Sequence, residues 1–348
     1  MFRKTLLTIV ACLILSILLV FILYVLTSKA SHPKNGFIRT FRPNVLLSQN
    51  TLDIKFNSFY IAGLSSRLIY LGNYTAPTYV LVSNYELTDT HHIRLKMPFD
   101  RRITGEGLTA IIDSPNVNMI DRITTSFFCG RLQDSCIYIG RLDTLQFSKS
   151  MPLSSTSVVL RTFDKSLRQD ILMKAELSTN RERRKVFKLD KHTEGIFSVD
   201  GMIHYNQTNG QVVYVYCYRN QFVILDTNLN LLYKGNTIDT ISTPHIKVAE
   251  ISSEKVNTLA APPLIVNKKS CVFGNWLFIN SALIANNEKR DLFNGQSVID
   301  VYSLLDSKYK FSFYLPDFYD KKITDFRIFN KTLVALYDHF ILTYQLNF

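Results

Sequence analysis

The feature that most constrains this chain is a rhythm of short segments running from about residue 47 to its end. Each is four to eight residues long and rich in Tyr, Phe, Ile, Val and Leu, and each is bounded by Gly, Asn, Asp, Pro or Ser. That pattern predicts short β-strands separated by turns. Clear examples are FYIA (59–62), LIYL (68–71), YVLV (79–82), SFFC (126–129), CIYI (136–139) and SVVLR (157–161). They continue with QVVYVYCY (211–218), QFVIL (221–225), LNLLY (229–233) and WLFI (276–279), then 298–302, 310–314, 332–337 and 340–344. The aromatic excess, 24 Phe and 18 Tyr against one Trp, belongs to these segments. A long amphipathic helix is hard to find among them. The best candidate, residues 163–179 (FDKSLRQDILMKAELST), has apolar residues at helical spacing and reads equally well as an edge strand with its loops.

A weak internal repeat sharpens the prediction. FYIAG (59–63) with IYLG (69–72) echoes FFCG (127–130) with IYIG (137–140). A third form, 211–218, 222–226 and 231–233, gives a strand, a tight turn, a strand ending in Asp and an outer strand. The hairpin 332–337 with 340–344 closes the series. This inner-to-outer order matches a propeller blade. About 300 residues at about 40–50 per blade predict an all-β, six- or seven-bladed β-propeller. The rival is a pair of β-sandwiches, but no composition break or linker divides the chain. A strand near 45–56 is expected to complete the blade that holds the C-terminal strands.

Ahead of the strands lies residues 6–27, LLTIVACLILSILLVFILYVLT, without a charge. Twenty-two helical residues reach roughly 33 Å, against a hydrocarbon core of about 30 Å. Arg3 and Lys4 precede the run and no acid occurs before residue 28. The positive-inside rule then predicts a cytoplasmic N-terminus (1–5), a signal-anchor helix (6–27), a tether (28–46) and a propeller domain (47–348) across the membrane. Two alternatives use the same residues. Ser28-Lys29-Ala30 would suit cleavage after Ala30, though the apolar run is longer than a signal peptide needs. Residues 9–12 look like a lipobox, but the run continues well past Cys12.

Four cysteines follow the anchor: Cys129, Cys136, Cys217 and Cys271. An even number in an oxidising compartment suggests two disulfides, Cys129 with Cys136 across a hairpin and Cys217 with Cys271 by default, with four free thiols as the alternative. Beyond residue 27 the chain carries 38 basic and 28 acidic residues, a net +10. The densest basic stretch is 161–191, peaking at Arg181, Arg183, Arg184 and Lys185. It is either a solvated edge or a contact for anionic lipid or an acidic partner. Nucleic acid is not an expected partner outside the cytoplasm.

Compact catalytic motifs are absent from the sequence: no phosphate loop, nucleophile elbow, zinc helix or haem box. Adjacent His91 and His92 would point to opposite faces of a strand, so no metal and no cofactor is expected. Asp300, amid apolar neighbours, is either a structural acid or a carboxylate at the axial channel. Propeller ligands meet the loops at one mouth of the channel. Loop position alone makes Arg101, Arg102, Glu106, Asn287, Glu288 and Arg290 the candidate binding residues.

The stretch from Cys217 to Phe348 resembles membrane-anchored, extracytoplasmic β-propeller proteins of Bacteroidota, in the six-bladed, TolB-like style. The segments that carry the likeness are QFVILDTNLNLLYKGNT (221–237), NWLFINSAL (275–283), SVIDVYSLLDSKYKFSFYLPD (297–317) and FNKTLVALYDHFILTYQL (329–346). The resemblance implies a fold and a topology but no settled activity, because such propellers serve both as platforms and as enzymes. The expectation is therefore a single-pass inner-membrane protein with a periplasmic propeller, acting as a noncatalytic binding or assembly module for membrane or envelope proteins. The alternatives are a propeller hydrolase, lyase or oxidoreductase with its site at the channel mouth, and a redox factor using Cys129 and Cys136.

Overall fold

The computed structural model describes residues 2–28, 35–98, 105–142, 145–177, 184–191, 196–251 and 256–348. Six four-stranded antiparallel sheets follow one another along the chain. Their first strands are Phe59–Leu64, Leu108–Asp113, Phe147–Pro152, Gly201–Asn206, Asn267–Phe273 and Asp325–Phe329. These six innermost strands line one central channel. The sheets are therefore blades 1 to 6 of a propeller, and successive strands step outward from the axis. A two-stranded hairpin, Val248–Ile251 with Val256–Leu259, is inserted between blades 4 and 5.

Blade 6 closes the ring. Its order is Leu46–Asp53, Phe340–Leu346, Thr332–Tyr337, Asp325–Phe329, so its outermost strand comes from the start of the domain. Thr51 pairs with Leu342 and Asp53 with Phe340. The expected closure by a strand near 45–56 is what the fold uses.

The core is divided among the seams between blades. Tyr70, Val80 and Val82 of blade 1 pack on Ala110, Ile112 and Met119 of blade 2. Their chain neighbours Ile69, Leu71 and Leu81 point the other way, against Val334 and Leu336 of blade 6. Successive side chains of a strand alternate between faces. A blade's middle strands are covered on both faces, so they read as unbroken apolar runs such as Val212–Val215. Close approach is needed at Gly63. A β-carbon there would sit 2.0 Å from the Ile112 carbonyl oxygen of blade 2.

Two sequence expectations change here. Residues 163–177, the described part of 163–179, form no helix. They hold the end of Ser157–Asp164 and the strand Gln169–Glu176, which is paired on both sides within blade 3. Its helix-like apolar spacing arises because Leu172 faces the blade 3–4 seam and Ala175 the blade 2–3 seam. The echo between 59–72 and 127–140 is out of register. The first pair are strands one and two of blade 1, and the second are strands three and four of blade 2.

The helix Phe2–Ser28 precedes the propeller. Its side chains are described over residues 9–23, all exposed. Among the described residues no helix is long and apolar enough to cross a membrane. The structure thus gives no support to the transmembrane span expected over 6–27. Residues 29–34 of the expected tether lie outside the described residues. Residues 35–42 are laid along blade 5 as a strap. Asn35 Nδ2 donates to the Ile284 carbonyl at 2.8 Å, Phe37 packs on Val266 and Leu283, and Phe41 stacks on Tyr314 at 4.5 Å.

Candidate functional site

The blades repeat one strand order, so the six inner strands run in the same sense along the axis. The channel they enclose measures about 1050 Å³. At the mouth where these strands begin, three cations line the wall: Lys149 of blade 3, Lys269 of blade 5 and Arg327 of blade 6. Each is the third residue of its inner strand. Lys149 and Lys269 directly follow irregularities in register, after Phe147 and Asn267 respectively. A bulge of this kind re-aims the side chain beside it. Arg327 alternates with Phe326 and Ile328, which pack into the blade 5–6 seam.

Several groups share this mouth. Tyr74, just past the second strand of blade 1, is 58% exposed and packs against Tyr60 with the rings tilted by 33° and their centroids 4.5 Å apart. Its phenol pKa is raised by burial and by Asp325, with Arg327 opposing. Cys217 lies near Lys149 and Lys269, but burial holds its thiol up at about 12, so no thiolate forms there at neutral pH. His204 lines the wall of blade 4, between the two lysines. Burial, with a smaller push from Arg327, brings its imidazole down to about 3, so it is neutral. Its Nε2 meets Ser270 Oγ at 2.7 Å, and its Nδ1 is buried without a partner. His204 and Ser270 are both buried. The pair lacks a third group to orient the ring, the usual mark of an activated nucleophile, and acts as a hydrogen bond across the blade 4–5 seam.

The opposite mouth has another character. Asp113 and Asp134 line it with Arg131. Gln207 Nε2 donates to Asp113 Oδ2 at 2.5 Å, linking blade 4 to blade 2.

The residues expected from sequence are dispersed. Arg101 and Arg102 lie outside the described residues. Glu106 is exposed ahead of blade 2's first strand. Asn287 and Glu288 belong to the loop joining the second and third strands of blade 5. That loop shares the face of the cationic mouth but grips the strap. Asn287 Nδ2 donates to the Arg39 carbonyl at 2.8 Å, and Glu288 accepts from Arg39 and from Tyr314 at 2.6 Å. Arg290 starts the short helix Arg290–Asn294. None of these four lines the channel. Asp300 is a buried structural acid: it accepts from Arg39 and from Ser312.

The expected disulfides are corrected. Cys129, Cys136, Cys217 and Cys271 are all free thiols. Cys129 pairs in register with Ile137, which puts Cys136 off the matched position, and Cys217 and Cys271 belong to different blades. Arg181 and Arg183 lie outside the described residues. Arg184 opens the outer strand Arg184–Lys188 of blade 3, where Lys185 is exposed. His91 and His92 pair with Val82 and Leu81 on an outer strand. No group of side chains able to hold a metal occurs among the described residues.

Sequence reasoning missed Lys149, Lys269 and Arg327. The available signal was a cation at one fixed position in FSKSMP, NKKSCVF and DFRIF. It becomes visible only once the first strand of each blade is aligned.

The protein is thus an all-β, six-bladed β-propeller. No family model matches the chain, and no curated protein matches it. Among solved structures it is similar to a member of the DUF4221 family from Bacteroides vulgatus. That match has 12% identity and a TM-score of 0.53, over 87% of this chain and 97% of that one. A structural genomics protein from Bacteroides thetaiotaomicron matches at 10% identity and a TM-score of 0.49, over 86% of this chain and 76% of that one. Catalytically inactive virginiamycin B lyase from Staphylococcus aureus matches at 8% and 0.48, over 86% of this chain and 99% of that one. At these identities the likeness is one of fold, and the first match carries it.

Proposed function

We propose that the protein is a membrane-tethered, noncatalytic binding module whose partners dock at the cationic mouth of the propeller channel. The observation that carries the reading is the channel itself. It is an open cavity of about 1050 Å³ on a ring held by six packed seams, with three cations and an exposed tyrosine at one mouth. A closed ring holds such a surface in place at little entropic cost on binding. The anchor rests on the uncharged run at 6–27 and its flanking Arg3 and Lys4. The same residues support a periplasmic propeller with membrane and envelope proteins as its partners. Tethering raises the effective concentration of such partners, so modest affinity suffices.

The test is site-specific photo-crosslinking in native membranes of the source cell. A crosslinker at Tyr74 is expected to trap a discrete partner in the membrane fraction, while one at Lys185 on the outer rim of blade 3 traps none. Equal trapping at both sites, or recovery of the full chain in the soluble fraction, would refute the reading.

A further inference from the structure

Several cations in the walls and seams have carboxylate partners, whereas buried Arg219 lies over the Tyr216 ring and donates to the Asp190 carbonyl. Arg39 is paired with Asp300 and Glu288, and Arg161 with Asp170 and Asp200. Lys234 is paired with Asp190 at 2.5 Å and Lys322 with Asp317 at 3.0 Å. Lys149, Lys269 and Arg327 have no ion-pair partner among the described residues. One carboxylate, Asp325, lines the same mouth, two residues from Arg327, and forms no bridge with it. Three cations against one acid leave that mouth at +2. Asp113 lines the far mouth, where Gln207 donates to its carboxylate.

Lys149 and Lys269 are exposed and Arg327 is half-buried, so their charges are open to solvent in the channel. A cleft with apolar walls and one sign of charge concentrates counter-ions and steers them inward. A second, separate observation lies in the same wall. His204, 7% exposed, keeps its Nδ1 buried without a partner, on the blade between the two lysines. Tyr74 adds a flat apolar face beside Arg327.

We infer that this mouth is a binding site for a multivalent anion, a carboxylate- or phosphate-bearing small molecule bridging Lys149, Lys269 and Arg327 with its apolar side on Tyr74. The inference rests on the reading of the mouth as the docking surface and names the chemistry it selects. Charge-assisted hydrogen bonds from a guanidinium and two ammoniums suit either group.

Isothermal titration of the full chain in detergent micelles tests it, with citrate and pyrophosphate as probes and glucose as the neutral control. One-to-one binding of at least one anion is expected at low salt, weakening as NaCl is raised. The double variant Lys269→Gln, Arg327→Gln is expected to bind at least tenfold more weakly with an unchanged melting temperature. The rim variant Lys185→Gln, Lys188→Gln should bind like the parent chain. Binding of citrate alone identifies a polycarboxylate site, and binding of pyrophosphate alone a phosphate site. No binding of either anion, or equal binding by the Lys269/Arg327 variant, overturns the inference. If the titration fails while the Tyr74 crosslinker still traps its partner, the anion site falls and the docking reading stands.

Discussion

Arg39 and Asp300 stand 261 residues apart and meet through two hydrogen bonds, Nε to Oδ1 at 2.8 Å and Nη2 to Oδ2 at 3.1 Å. The guanidinium side chain is 0% exposed and the carboxylate 3%. Glu288 and the Leu283 carbonyl take the remaining donor. This fork pins the strap to blade 5. Buried ion pairs are costly to break, because one charge is left desolvated and alone.

Asp300→Ala should therefore destabilise the propeller by about 3 kcal/mol, the lower end of the usual range because Glu288 remains. Calorimetry should show a melting temperature lower by roughly 5–10 °C. Asp306→Ala removes an exposed bridge to Lys310 and a surface hydrogen bond from the Lys308 amide, and should lower the melting temperature far less.

The ring closure makes a sharper prediction. A chain beginning at Pro43 loses the strap but keeps Leu46–Asp53, and should unfold at lower temperature in one cooperative step. A chain beginning at Ile54 exposes the edge of Phe340–Leu346. An unpaired edge of that length recruits other chains. Near-ultraviolet circular dichroism and size exclusion should show a broad melt and aggregates. A sharp, monomeric melt in the shorter chain would show that the ring stands without its closing strand.

Much of this fold was legible in the sequence because strand character is local. The Val- and Tyr-rich run 211–218 reads as a strand, and 332–337 with 340–344 reads as a hairpin turning at Asp338-His339. Closure followed from the unpartnered strand near 45–56. Blade register was not legible, since FYIAG and FFCG look alike and occupy different strands of their blades. The strap was hidden for a different reason. Nothing local marks Arg39 as the partner of Asp300, and loop position alone made Glu288 a candidate for a ligand rather than for the strap. The cations of the mouth were hidden because a Lys or Arg within one short strand looks like ordinary solubilisation of an edge. Their meaning appears only when Lys149, Lys269 and Arg327 are brought round one axis.

The thiols bear on compartment as well as chemistry. All five cysteines are free. Burial raises the thiol pKa of Cys129 and Cys136, and lifts Cys217 to about 12. The thiolate is the reactive form. The native protein should thus react slowly with a chromogenic disulfide reagent at the four propeller cysteines, and the guanidinium-unfolded, unreduced protein should titrate five thiols. Three or one would mean that one or two disulfides form in the cell.

His204 should give the propeller an acid-sensitive seam. In the fold its pKa is about 3, because burial penalises the imidazolium, against about 6.5 in the unfolded chain. A depressed folded pKa makes the unfolded state the better proton binder between those values. The stabilisation is present above about pH 6.5 and is lost as pH falls toward 3, by about 1.4 kcal/mol per pH unit. Exposed carboxylates also titrate in the lower part of that window, so the useful quantity is a difference between two chains. His204→Gln removes the titration and keeps a side chain able to reach Ser270. Urea unfolding at pH 7, 6, 5 and 4 should show parent and variant running parallel above pH 6.5. Below it, the parent should lose stability more steeply by about 1.4 kcal/mol per unit. Parallel behaviour down to pH 4 would mean that water from the channel reaches the imidazole and hydrates its charge.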